Sequence, residues 1–238
     1  MHIARISGKG GREKNEDAIG RLRKDGMYCF VLADGLGGQG SGEVASALAV
    51  KTVLECFDAH AEVSEEIIYA YIEAAQNAII EARLENPRYA DMGTTITVLL
   101  TDEKNAVWAH CGDSRIYRFR KNKIQEITDD HSVAFASFLA KEISYNEIRT
   151  SPDQNRLLRS LSDGSKFRPD ISELIKVDKK TAFLMCSDGF WEYVDEDYME
   201  YTIKKARSPK EWLEDMLDER ARLAPPDADN FSAIVVFI

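Results

Sequence analysis

Hydrophobic and polar positions along the chain change their period several times, and each change marks an element. Ile3 and Ile6 lie within a short strand over residues 1–6. Residues 18–20 and the apolar run from Met27 to Ala33 predict two further strands, joined by the charged turn Lys24-Asp25-Gly26. From Glu43 the period lengthens. Val44, Leu48, Val53, Leu54 and Phe57 fall at helical spacing to about residue 59. A second helix over about 64–85 places Ile68, Tyr71, Ile72, Ala75, Ile79 and Ala82 on one face and stops before Pro87. Both faces read as core packing.

Strand patterning then returns. Thr94 to Thr101 is β-branched and apolar, and Asn105 to Cys111 answers it across a polar turn at 102–105. Residues 114–120 and Lys123 to Ile127 form another pair across Lys121-Asn122. Residues 128–170 are mixed, with one helix over about 133–149, then Pro152 and a basic stretch carrying Arg156, Arg159, Lys166 and Arg168. This segment reads as an insertion lying over the sheet. Thr181 to Cys186 is a strong strand. Two helices follow over about 195–206 and 208–223. The second opens on Ser208-Pro209-Lys210-Glu211, a capping box with proline at the first helical position. Phe231 to Ile238 is apolar nearly throughout and belongs in the middle of a sheet.

The candidate chemistry lies where these strands stop. The run ending at Ala33 delivers Asp34, followed by Gly35, Gly37, Gly38, Gly40 and Gly42. Glycine frees the neighbouring backbone to approach a ligand. Asp113 follows Gly112, Asp188 precedes Gly189, and Asp229-Asn230 stands at the start of the last strand. Four such carboxylates suggest a shared cation site. Carboxylate, carbonyl and water oxygens suit Mg²⁺ or Mn²⁺, and no Cys/His spacing points to zinc. Near the N-terminus, Gly8 to Asp17 is a glycine-rich bend with Arg12, Glu16 and Asp17. The planar fork of Arg12 can grip a phosphate, while Glu16 or Asp17 faces metal or metal-bound water. His131 is a candidate for catalysis, but a lone histidine reads more readily as a capping or structural residue. A rival reading takes Gly35, Gly37 and Gly40 as G-x-G-x-x-G of a dinucleotide site. That site needs a second parallel strand after the helix. Here a second helix follows instead, and Asp34 would set a charge beside the pyrophosphate.

Composition narrows the classes. The 238 residues are 44% hydrophobic and 30% charged, ordinary for a globular chain. One domain spanning 1–238 is expected. The formal charge of −10 disfavours nonspecific binding to nucleic acid or an anionic membrane. No stretch has the length of a membrane span, and no signal-peptide core opens the chain. Cys29, Cys56, Cys111 and Cys186 lie within apolar patterns and read as buried thiols in a reducing cytoplasm.

Taken in order, Gly11-Arg12-x-x-Asn15-Glu16-Asp17, Ala33-Asp34-Gly35-x-Gly37-Gly38, Met92-Gly93-Thr94-Thr95, Gly112-Asp113-Ser114-Arg115, Thr128-x-Asp130-His131-Ser132, Cys186-Ser187-Asp188-Gly189 and Asp229-Asn230 resemble the metal-dependent type 2C (PPM) serine/threonine protein phosphatases in their compact bacterial form. The resemblance spans nearly the whole chain. It implies an α+β fold, a four-layer αββα sandwich of two antiparallel sheets flanked by helix pairs. It implies two or three Mn²⁺ or Mg²⁺ ions. Asp34, Asp188 and Asp229 would hold the first, Glu16, Asp34 and the Gly35 carbonyl the second, and Asp113 with Asp188 a weaker third. Asp17 would orient metal-bound water, Arg12 would bind substrate phosphate, and residues at about 131–168 would form a flap. The implied reaction is hydrolysis of phosphoserine or phosphothreonine in proteins by direct attack of a metal-bridging hydroxide. The expected partner is a phosphorylated protein, including a partner kinase or its targets, met by a monomer. The alternative is a catalytically weak phosphoprotein- or kinase-binding module on the same fold. One departure stands out: Leu36 occupies the place where many eukaryotic members carry a histidine assigned as general acid.

Overall fold

Alternation along the strands explains the layering. In β3 (Met27–Leu36), Cys29, Val31 and Ala33 point one way and Phe30 and Leu32 the other, as successive side chains of a strand must. The first set packs against α1 (Ser41–Ala59) and α2 (Glu65–Glu85). The second meets Phe183, Met185, Ile234 and Val236 of a second sheet. Those residues belong to β11 (Thr181–Cys186) and β12 (Phe231–Phe237), whose opposite faces (Leu184, Cys186, Ala233, Val235) pack under α5 (Glu196–Ile203) and α6 (Pro209–Leu223). The computed structural model, which describes residues 1–37, 41–162 and 164–238, is thus a four-layer αββα sandwich with three buried apolar layers.

One sheet runs β1 (His2–Gly8), β12, β11, β7 (Arg115–Arg120), β8 (Lys123–Ile127). The other runs β10 (Ile175–Lys176), β6 (Asn105–Cys111), β5 (Ile96–Thr101), β3, β2 (Asp17–Lys24). β4 (Gly93–Thr94) pairs with β3, and β9 (Asp170–Ile171) with β6. Every named pairing is antiparallel. β12 lies between β1 and β11, as its apolar sequence requires. The hairpins at Lys24–Met27 and Arg120–Lys123 turn through residues in the left-handed region: Asp25 and Gly26 in one, Lys121 and Asn122 in the other.

Four expectations are corrected. The helix over 133–149 is only α3 (Val133–Leu139), followed by a 3-10 segment at Tyr145–Thr150. Lys141 takes φ 61°, and the amides of Lys141 and Glu142 close back on Phe138 and Ser137, a left-handed stop. A one-turn helix, α4 (Asp188–Trp191), precedes the predicted pair. β3 continues two residues beyond Asp34, because Gly35 and Leu36 pair with Thr94 and Gly93. The cysteines are free thiols; Cys29, Cys111 and Cys186 are buried, whereas Cys56 is only half-buried.

Candidate active site

At one end of the sandwich, five chain segments bring their carboxylates together around a cavity of about 360 Å³. Glu16, Asp34, Gly35, Asp113, Asp188 and Asp229 line it, with Arg12 and Lys14 at the rim. Gly38, Gln39 and Gly40, which complete the glycine-rich stretch, lie outside the described residues. Asp17 sits just behind: the β2–β3 register sets it directly across from Asp34. Like charges in that position repel. Burial, reinforced by Asp188 and Asp229, raises the Asp17 carboxyl from 3.8 to about 7 against the hydrogen bond from the Ser187 hydroxyl. Burial and Asp229 raise Asp188 to about 6. Burial, then the neighbouring acids, hold Asp34 and Asp113 well above the carboxylate range.

The backbone around the cluster is tightly tied. The Asp34 carbonyl accepts from the Thr94 hydroxyl (2.7 Å) and the Thr95 amide (2.8 Å), and the Asp34 amide donates to Thr95 Oγ1 (3.0 Å). This gives the Gly93-Thr94-Thr95 motif its role. Gly35 must be glycine, since a Cβ there would lie 2.2 Å from the Gly42 carbonyl oxygen. Asn230 clamps the Arg12 loop: Nδ2 donates to the carbonyls of Lys9 and Lys14, and Oδ1 accepts from the Glu16 amide, each at 2.8 Å. Arg12 forks onto Asp229, with Nε to Oδ1 at 3.1 Å and Nη2 to Oδ2 at 2.8 Å.

Several contributors carry no local sequence signal. Arg220 of α6 donates to the carbonyls of Gly189 (2.6 Å) and Asp229 (3.2 Å), tying two site segments together. Glu192, raised to about 7 by burial and then Asp188, accepts a hydrogen bond from Gln154. Asn155 and Leu157, from the inserted segment, line the cavity, as does Leu36. Trp191 donates to the Asp113 carbonyl at 3.0 Å.

The donor set fits divalent cations. Asp17 accepts from the Ser187 hydroxyl at Oδ2 (2.8 Å), while its Oδ1 is buried with no hydrogen-bond partner among the described residues. An orphaned buried oxygen is costly and points to a missing partner. Six further acids, Glu13 among them, line the adjoining cavity, with only Arg12 and Lys14 as lining cations among the described residues. Hard oxygen ligands around an open cavity suit Mg²⁺ or Mn²⁺ with water completing the shell.

A different trio, His110, His131 and Asp170, has ligand atoms all within 4.8 Å of one another. Its hydrogen bonds argue against an ion. His110 Nε2 faces the Asp129 carbonyl oxygen at 2.8 Å and must carry its proton. His131 Nδ1 accepts from the Gly112 amide (3.2 Å), so its proton sits on Nε2, facing Asp170 Oδ2 at 3.0 Å. His131 then has no lone pair free for a metal, and His110 could offer only Nδ1. The rings also stack at 4.4 Å and 22°, so their planes do not converge on one point. His131 is therefore buried and structural, while Ser132 caps α3.

Comparison with known proteins agrees with the geometry. The family model described as Protein phosphatase 2C matches residues 10–222. The serine/threonine phosphatase stp of Listeria welshimeri is 31% identical over 209 residues, covering 84% of this chain and 81% of that protein. The structure of serine/threonine phosphatase Stp1 from Staphylococcus aureus superposes with a TM-score of 0.88 at 26% identity, covering 99% of this chain and 94% of that one. The catalytic domain of the phosphatase PstP, in complex with 2 manganese ions, shares the fold with a TM-score of 0.84 at 24% identity, covering 98% and 96%. No helix among the described residues is long and apolar enough to cross a membrane. With the site acids in place and the family model covering most of its length, the chain belongs to the protein phosphatase 2C family, in the bacterial form of its serine/threonine phosphatases.

Proposed function

We propose that this enzyme hydrolyses phosphoserine and phosphothreonine in proteins by direct displacement at phosphorus, with Mn²⁺ or Mg²⁺ as cofactor. The observation that carries the reading is the convergence of Glu16, Asp34, Asp113, Asp188 and Asp229 from separate segments on one cavity rimmed by Arg12. Asp34, Asp188 and Asp229 would hold a first ion, Glu16, Asp34 and the Gly35 carbonyl a second, and Asp113 with Asp188 a third. Bound ions supply Lewis-acid charge and a water of lowered pKa, so no phosphoenzyme is needed.

The protein's own groups do the rest. Asp17, fixed at Oδ2 by Ser187, offers Oδ1 to the attacking water and orients it. Arg12 is exposed at the rim, so part of its fork can turn from Asp229 to the phosphoryl oxygens. Leu36 offers no proton, so the departing serine or threonine oxygen takes its proton from water. The chain works as one catalytic unit, with residues 131–168 as a flap whose Asn155 and Leu157 meet the substrate beside Leu36. All proposed ligands come from one chain, which suits a monomer. Free thiols at all four cysteines suit a reducing cytoplasm. The substrates are phosphoproteins, including a serine/threonine kinase or its targets.

The test is phosphate release from a phosphothreonine peptide with Mn²⁺, then with excess chelator, alongside Asp188→Asn. Metal-dependent release that the substitution abolishes supports the reading. A folded, Mn²⁺-loaded protein that releases no phosphate overturns it.

A further inference from the structure

Asp113 hangs from a glycine in an unusual conformation, and the means of holding that glycine is specific. Gly112 has φ 118°, where L side chains are rarely found, and a Cβ on it would lie 2.6 Å from Thr95 Cβ. Such a residue has no side chain of its own to fix the turn. His131 does so instead, at two points. Its amide donates to the Gly112 carbonyl (3.0 Å), and its Nδ1 accepts from the Gly112 amide (3.2 Å). On the other side of Asp113, the carbonyl accepts from Trp191 Nε1 at 3.0 Å. The main chain is pinned before and after the Asp113 Cα, which leaves only the carboxylate's own rotations free.

The imidazole can accept at Nδ1 only if its proton is on Nε2. Asp170 Oδ2 faces that nitrogen at 3.0 Å, and Arg159 Nη1 stands 3.1 Å from the same nitrogen. A guanidinium cannot accept, so the Asp170 carboxylate takes the Nε2 proton while Arg159 Nη1 donates to Asp170 Oδ1 at 2.8 Å. Stacking on His110 fixes the ring plane. Arg159 belongs to the same segment that brings Asn155 and Leu157 to the cavity wall.

We propose that His131 is a positioning residue for Asp113, holding the Gly112 peptide through Nδ1, and that the Asp170–Arg159 pair keeps its imidazole in the tautomer this needs. The arrangement parallels the carboxylate–histidine pairs behind metal ligands, with a peptide in place of the ion. It links the flap to the acid expected to hold the weakest ion, and it rests on that metal role of Asp113.

Long-range ¹H–¹⁵N spectra of the unsubstituted protein near neutral pH should show His131 as the Nε2–H tautomer. The Nδ1–H form or the cation overturns the proposal. His131→Asn keeps an acceptor where Nδ1 stands, whereas His131→Gln reaches only the Nε2 position. Mn²⁺ titration calorimetry on both, with Asp113→Asn and thermal midpoints alongside, then separates the roles. His131→Gln and Asp113→Asn should each weaken the weakest class of Mn²⁺ binding by roughly 10-fold or more. His131→Asn should stay close to the unsubstituted protein. Equal loss in the Asn and Gln variants, or no loss in Gln while Asp113→Asn shows one, overturns the positioning role. An unchanged titration in Asp113→Asn overturns the metal role of Asp113 itself, and the proposal with it.

Discussion

Replacing Asp17 by asparagine should stabilise the metal-free protein while destroying its activity. Asp17 is 8% exposed, faces Asp34 across the β2–β3 pair and has its carboxyl raised from 3.8 to about 7. A carboxyl raised in the fold binds protons more tightly there than in the unfolded chain. Its contribution to stability is therefore lost as pH rises from the unfolded value through about 7. Roughly three decades at about 1.4 kcal/mol each amount to about 4 kcal/mol at neutral pH. Asparagine has the same shape, keeps an oxygen to accept from Ser187, and never ionises. At about 2–4 °C per kcal/mol for a chain of this size, metal-free Asp17→Asn should melt roughly 8–16 °C higher than the unsubstituted protein near neutral pH. At about pH 4 Asp17 is largely protonated in the fold, so the gain should nearly vanish. His110 and His131, both lowered by burial, add stability as pH rises, but equally in the two proteins, so the difference isolates Asp17. Scanning calorimetry in chelator at the two pH values makes the measurement. Turnover with Mn²⁺ should fall by about 100-fold or more, as loss of a group that handles the attacking water does. A variant that is no more stable at neutral pH, or equally more stable at both, refutes the electrostatic account of the cluster.

Other outcomes follow from the same geometry. Mn²⁺ at about 100 times its dissociation constant should add about 2.7 kcal/mol per ion to the unsubstituted protein, read as a rise in thermal midpoint, and much less to Asp34→Asn. Asp34→Asn and Asp188→Asn should nearly abolish phosphate release; near-normal kinetics in either would show the ligands misassigned. Arg12→Ala should raise KM for a phosphopeptide more than it lowers kcat, because it removes a substrate contact and leaves Asp17 in place. Asp130→Ala should cost about 3–5 kcal/mol in urea unfolding, since it removes the two shortest hydrogen bonds of the buried Arg115 guanidinium, 2.7 and 2.6 Å, and leaves Glu196 at 3.5 Å as its remaining counter-charge.

The sequence by itself determined the long strands, the main helices and the identity of the acids. Alternation in β3, β11 and β12 is dictated by local geometry, and so is the helical spacing of Ile68, Tyr71, Ile72 and Ala75. Acids at strand ends, two of them in Asp-Gly pairs, marked the residues that line the cavity. The tertiary structure alone decided what those residues meet. The register that opposes Asp17 to Asp34 depends on the pairing of two strands, and the reach of Arg220 to Gly189 and Asp229 depends on how α6 lies across the sheet. The left-handed stop at Lys141 beyond α3 and the two-residue strands β9 and β10 are fixed by hydrogen bonds to partners that no local period encodes. His131 is the sharpest case. Its chemistry is set by which nitrogen faces the Gly112 amide and which faces Asp170, residues 19 and 39 positions away. Periodicity reports the face a side chain takes within its own element. Proton placement and charge repulsion depend on distances between elements, and only the folded chain sets those.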